Sequence, residues 1–157
     1  MTRRCFLCSA GLLAASFVPA ATAAAVPDKI LPNLDKDGVA LQGHDPVAFF
    51  TVGAPVKGRP EFESTYRGAK YRFHSARNKA AFDADPAKYE PQFGGWCAYG
   101  VSRNALAPIA IEAWQIVNGR LLMQKSTGIR DDFNKDAAGN LLKADEHWPG
   151  LVARRGR

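Results

Sequence analysis

Between Tyr66 and Gly100 the chain carries its densest run of aromatic residues, and within it Tyr71 and Phe73 alternate with Lys70, Arg72 and His74. A period of two suits a strand with one buried face. Arg67-Gly68 supplies a turn just before it, which makes Phe62–Tyr66 the partner strand of a hairpin. The pattern then changes. Ser75 offers a hydroxyl to the free N–H groups of a helix beginning at Ala76, and Ala76, Lys79, Ala80, Ala81 and Phe82 fit about two turns. Asp85-Pro86 reads as a second helix start, an aspartate cap with proline at the first helical position. Gly94-Gly95 lets the backbone turn sharply before Trp96 and Cys97.

On either side the signals are shorter. Val26–Asn33 reads as a loosely held lead-in, because Pro27 and Pro32 block regular structure. Asp35-Lys36-Asp37-Gly38 is turn chemistry; it is superficially similar to the start of a calcium loop, but the twelfth residue from Asp35 is Pro46 instead of the closing glutamate. Val39–Leu41 and Val47–Thr51 read as short strands around Gly43-His44-Asp45-Pro46, and Val52–Pro60 as an exposed loop. After Cys97, Ala98–Ala105 reads as a short helix broken by Pro108. Trp114–Val117 and Leu121–Met123 flank Asn118-Gly119, the strongest short hairpin signal in the chain. Thr127–Phe133 predicts a helix, interrupted at Gly139, resumed through Leu141, Leu142 and Ala144, and ended at Trp148-Pro149. Short hairpins alternating with short helices argue for a single small α+β domain.

Tyr71-Arg72-Phe73-His74-Ser75, followed by Phe82 and Asp85-Pro86-Ala87-Lys88-Tyr89, resembles the YHS domain, a small module related to the cysteine-rich TRASH-type metal-binding domains. The rest of the chain is similar to secreted bacterial YHS-domain proteins. Gly43-His44-Asp45-Pro46-Val47-Ala48-Phe49-Phe50 matches their opening motif, with His44 where the family carries tyrosine. Gly94-Gly95-Trp96-Cys97-Ala98-Tyr99-Gly100-Val101 matches a second motif, and the segments Trp114–Leu121 and Ala144–Pro149 match the closing ones. The resemblance runs from about Gly38 to Leu151. It implies a metal-binding module.

The N-terminus stands apart from that body. Arg3-Arg4 heads a stretch that resembles a twin-arginine export signal, an apolar run from Ala10 to Val18 follows, and Ala21-Thr22-Ala23 and Ala23-Ala24-Ala25 both suit a signal peptidase. The run is too short for a permanent anchor. The expected division is therefore a leader at 1–25, a flexible lead-in at 26–37, the YHS-type domain at 38–151 and a basic tail at 152–157. The expected location is periplasmic or secreted, with the twin-arginine translocase as an export partner. The chain has 21 basic and 15 acidic residues, net +6; loss of Arg3 and Arg4 with the leader lowers this to +4. Three of those positives are Arg154, Arg155 and Arg157, so the folded body is nearly balanced and presents no nucleic-acid face.

Of the three cysteines, Cys5 and Cys8 leave with the leader, and Cys97 stands alone. A single cysteine in an oxidising compartment is a buried small apolar residue, a ligand or a reactive thiol. As ligands, Cys97 and His74, with His44 as a third donor, suit copper or zinc, since thiolate and imidazole favour soft and borderline ions. The partner is then a metal ion or a metal-delivering protein. His147, between Glu146 and Trp148, reads as a helix-end residue. A Cys97–His74 nucleophile and base oriented by Asp45 is a third reading, but no hydrolase signature surrounds Cys97 and no nucleotide-binding or haem motif occurs in the mature part. The expectation is a non-catalytic protein: a copper or zinc module, or a metal-free interaction module in which Cys97 packs in the core.

Overall fold

The computed structural model of the protein describes residues 29–157. The expected leader, with Arg3 and Arg4, lies outside the described residues. A helix α1 (Pro46–Thr51) precedes the first hairpin, β1 (Arg59–Tyr66) and β2 (Ala69–Phe73); then come α2 (Ala76–Ala84), α3 (Pro86–Tyr89) and α4 (Ala98–Ser102). The second hairpin, β3 (Ala110–Val117) and β4 (Arg120–Gln124), leads into α5 (Thr127–Asn134) and α6 (Ala137–Arg155). Both hairpins are antiparallel two-stranded sheets, each with one register irregularity. The arrangement is a single α+β domain, as the patterning predicts.

Both turns follow from their residues. Arg67 and Gly68 have φ of 46° and 71°, and Asn118 and Gly119 have φ of 51° and 74°. Two successive left-handed residues match the right-handed twist of the strands they join. The Ser75 hydroxyl accepts from the Asn78 N–H at 3.2 Å, starting α2, and the Asp85 carboxylate accepts from the Lys88 N–H at 3.4 Å, starting α3.

Four expectations need correction. Val47–Thr51 is helical, not a strand. Its apolar run is too short for periodicity to decide, and Asp45 with Pro46 forms the same cap-plus-proline start that Asp85-Pro86 makes further on. Val39–Leu41 forms only isolated bridges, Val39 with Lys70 and Leu34 with Ala40, before the chain turns through left-handed Leu41 and Gln42. The final helical break falls at Lys135-Asp136, where the Asp136 carboxylate accepts from the Gly139 N–H at 3.0 Å. Gly139 thus lies in the first turn of α6. Nor does Pro149 end that helix. It forfeits one backbone hydrogen bond, but buried Leu151 and Val152 hold the next turn against the core, and α6 continues to Arg155.

The first and last of the described residues meet. Ile30 and Arg157 exchange backbone hydrogen bonds at 3.1 and 3.0 Å, and the Asn33 N–H donates to the Gly94 carbonyl at 2.8 Å. The Trp96 indole donates to the Leu31 carbonyl at 3.0 Å. From Lys29 onward, then, the expected lead-in is a strap bonded across the domain, and Arg154 of the expected tail donates to Asn104 at 2.7 Å.

Strand β4 is the centre of the core. Leu121 to Gln124 are all fully buried. Leu121 and Met123 pack with Phe49 and Leu41, whereas Leu122 packs with Phe133, Val101 and Ala144. Along its outer edge run Pro91, bridged to Leu121, and Cys97, bridged to Met123, both parallel. A separate cluster joins Tyr71, Phe73 and Phe82, whose rings lie 4.8 and 5.1 Å apart across Phe82.

At Gly119 nothing lies within 4 Å of where a Cβ would go, so substitution there tests backbone conformation alone. Gly119→Val should lower stability by about 1–3 kcal/mol. Urea unfolding reads this directly, and an unchanged midpoint would show that the left-handed turn is dispensable.

Candidate functional site

Asp45 is fully buried, and its carboxylate is saturated with N–H donors. Oδ1 accepts from Val47 and Ala48 at 2.8 and 3.3 Å, which caps α1; Oδ2 accepts from the His74 backbone at 2.8 Å and the Asn78 amide at 2.7 Å. One side chain of the opening motif therefore fixes the end of β2 and the start of α2. It is committed to these donors and does not orient a histidine ring.

Cys97 caps α4 without using its side chain and is 1% exposed. Its thiol donates to Gln124 Oε1 at 3.3 Å, and the same oxygen accepts from the Tyr99 N–H at 3.1 Å. Gln124 is itself fully buried, and its Nε2 has no hydrogen-bond partner among the described residues. His74 is exposed at the end of β2. His44 is half-buried, with Nδ1 at 3.1 Å from the Leu41 carbonyl. Burial first, and the nearby Lys57 charge as well, hold its imidazole below the ordinary range against the raising effect of that hydrogen bond. His147 Nδ1 lies 3.3 Å from the Val101 carbonyl near the middle of α6. Among the described residues, no three His, Cys, Asp or Glu side chains group so as to hold a metal ion. Cys97, His74 and His44 are thus three separate environments: a sealed thiol, an exposed ring and a carbonyl-bound ring.

What sequence reasoning missed lies elsewhere. A cleft of about 470 Å³ opens between the strap, the Glu90–Gly94 segment and α6. Its floor is Tyr71, and Phe93 and Trp148 stand together on one wall with ring centroids 5.9 Å apart. Arg67 pairs with Glu90 at 2.9 Å, and Arg120 grips Asp145 with two N–H groups at 2.9 and 2.7 Å. Arg120 also donates to Gln92 at 3.0 Å and stacks over the Phe93 ring. Burial pushes the Glu90 carboxyl above its usual range, and Arg67 only partly offsets this. The cleft wall needs unusual backbone: Phe93 and Gly94 have φ of 53° and 60°, and a Cβ at Gly94 would collide with the Leu31 carbonyl. The glycine pair was legible as a sharp turn. That the turn builds a cleft was not.

Compared with known proteins, residues 47–93 match the YHS domain. That supports reading the chain as a YHS-domain protein, over a narrower span than the Gly38–Leu151 resemblance. The matched segment runs from α1 to Phe93 and contains His74, Tyr71 and Glu90, but neither His44, Asp45 nor Cys97. No curated protein and no solved structure matches the chain.

Asp45→Asn keeps the size of the side chain but turns one acceptor into an NH2 group facing N–H donors, whichever way the amide is set. The expected loss is roughly 2–4 kcal/mol, measured by chemical denaturation. A loss below about 1 kcal/mol, the scale of one ordinary net hydrogen bond, would show that the fold does not depend on this carboxylate.

Proposed function

We propose that this protein is an exported, non-catalytic binding module, with Cys97 as a packing residue instead of a ligand. The observation that carries this reading is the state of the thiol: 1% exposed, hydrogen-bonded to Gln124 and beside the central strand. A metal bound there would have to displace that contact and recruit donors that do not gather around it. A nucleophile there would lack access, and its hydrogen-bond partner is an amide oxygen, not an imidazole.

Export is supported by the leader sequence, with Arg3-Arg4 ahead of an apolar run and paired alanine sites. No helix among the described residues is long and apolar enough to cross a membrane. Replacing Arg3 and Arg4 together by lysine should leave an uncleaved precursor in the cytoplasm. Normal export of that variant, followed by immunoblotting of cell fractions, would overturn the twin-arginine route.

The match to the YHS domain favours a second reading, metal binding; of the donors expected for copper or zinc, Cys97, His74 and His44, only His74 lies in the matched segment, and the partner would be a metal-delivering protein. The two readings part on one experiment. In ours, the purified, reduced protein retains neither Cu(I) nor Zn(II) at equimolar concentration after desalting. Cys97→Ser, whose hydroxyl finds Gln124 Oε1 in place, costs about 1–2 kcal/mol of stability through poorer packing. Submicromolar metal binding that disappears with both Cys97→Ser and His74→Ala would establish the metal reading instead.

A further inference from the structure

The strap-side cleft has properties that packing alone does not call for. Tyr71 is 5% exposed, yet its hydroxyl has no hydrogen-bond partner among the described residues, and it lines the cleft floor. The hydroxyl is not among the fully buried unpartnered atoms, so it is open to solvent, and as a donor with no protein partner it is free for something that enters the cleft. The phenol stays protonated at neutral pH, because burial and, secondarily, the Glu90 charge push its pKa well up. Beside it, Arg67 spends a single N–H on Glu90. Among the described residues, three cations line the cleft (Lys29, Arg67 and Arg120) against two carboxylates, Glu90 and Asp145. The lining therefore has one positive charge in excess. The remaining walls are apolar, from Leu31 on the strap to Phe93 and Trp148 opposite. A volume of about 470 Å³ falls within the ordinary range of small-molecule sites, about 300–1,000 Å³.

We infer that the cleft binds a small organic monocarboxylate with a flat or apolar body, its carboxylate accepting from the Tyr71 hydroxyl and from Arg67 and its body lying against Phe93 and Trp148. A neutral ligand would leave the excess positive charge unmatched. A cation would be repelled by it, and a multiply charged anion would meet Glu90 and Asp145. This inference rests on the reading of the protein as a non-catalytic binding module, but its failure is separable: Cys97 does not line the cleft, so metal uptake bears on that reading alone.

The test uses the purified protein and 2-naphthoate as the probe, with its methyl ester and 2-naphthylmethylamine as neutral and cationic counterparts of the same body. Calorimetry should give saturable binding with Kd below about 1 mM, at least about tenfold tighter for the carboxylate than for either counterpart, a difference of about 1.4 kcal/mol. Tyr71→Phe should weaken 2-naphthoate about fivefold to tenfold, the scale of one lost hydrogen bond, with the melting temperature unchanged, since the hydroxyl makes no hydrogen bond among the described residues. Lys29→Gln, at the exposed rim, should reduce the preference for the carboxylate over the ester and keeps the test decisive if Tyr71→Phe folds poorly. Absence of saturable binding would overturn the proposal. So would equal affinity for acid and ester, undiminished binding by Tyr71→Phe, or a carboxylate preference that survives Lys29→Gln when Tyr71→Phe cannot be tested.

Discussion

Burying a carboxylate is unfavourable unless every lone pair it turns inward meets a donor. At Asp45 four N–H groups do so, two from the first turn of α1 and two from the β2–α2 junction. This constraint sets the geometry of much of the domain. Pro46 at the first helical position removes an N–H that would otherwise compete for the carboxylate and presets the backbone for α1. Ser75 caps α2 one residue beyond His74, whose own N–H is already taken. With these junctions pinned, the Phe73 and Phe82 rings meet at a tilt of 51°, and the first hairpin has a core to pack against. The matched YHS segment therefore depends for its closure on a residue lying just outside it.

The second half is organised by a strand buried on both faces. β4 sends Leu121 and Met123 towards α1 and Leu122 towards α4, α5 and α6, so any neighbour along its outer edge enters a crowded interior. Cys97 occupies that edge opposite Met123. A small, weakly polar side chain fits there, and the one polar atom it brings is met by Gln124, which also closes the first turn of α4 through the Tyr99 N–H. The cysteine is explained by packing and a single hydrogen bond.

Much of this was legible in the residues, because local chemistry decided it. Two left-handed turns, two Asp-Pro or serine helix starts and the alternation around Tyr71 are each fixed within a few positions, and both hairpins and α2 and α3 follow. The errors arose where the deciding partner is distant. Val47–Thr51 is a short apolar run whose state depends on how Asp45 is used, and Asp45 is used partly by His74 and Asn78, far along the chain. α6 passes Pro149 because Leu151 and Val152 have a core to enter. The site was harder still. Motif spacing drew attention to Cys97, His74 and His44, all rare residues, whereas the cleft is made of common ones. Arg67 reads as a turn residue and Tyr71 as a buried strand position until Lys29–Pro32 folds across them.

The segment Glu90–Cys97 joins these two regions, and its backbone explains why they are separate. Left-handed Phe93 and Gly94 loop the chain out between Pro91 and Cys97, both of which bridge to β4 in the same parallel sense. The loop sets the Phe93 ring beside Trp148 at the cleft and returns Cys97 to the edge of β4. Strain at a non-glycine residue persists only where the surroundings over-determine it, and here they do: Gly94 accepts the Asn33 N–H and leaves no room for a side chain beside Leu31. The strap and the loop are therefore fitted to each other. Both contribute to the cleft wall, whereas the cysteine lies outside the lining, at its own bridge to Met123. A ligand in the cleft would thus couple to the strap and to Phe93, and the thiol would remain a bystander to binding.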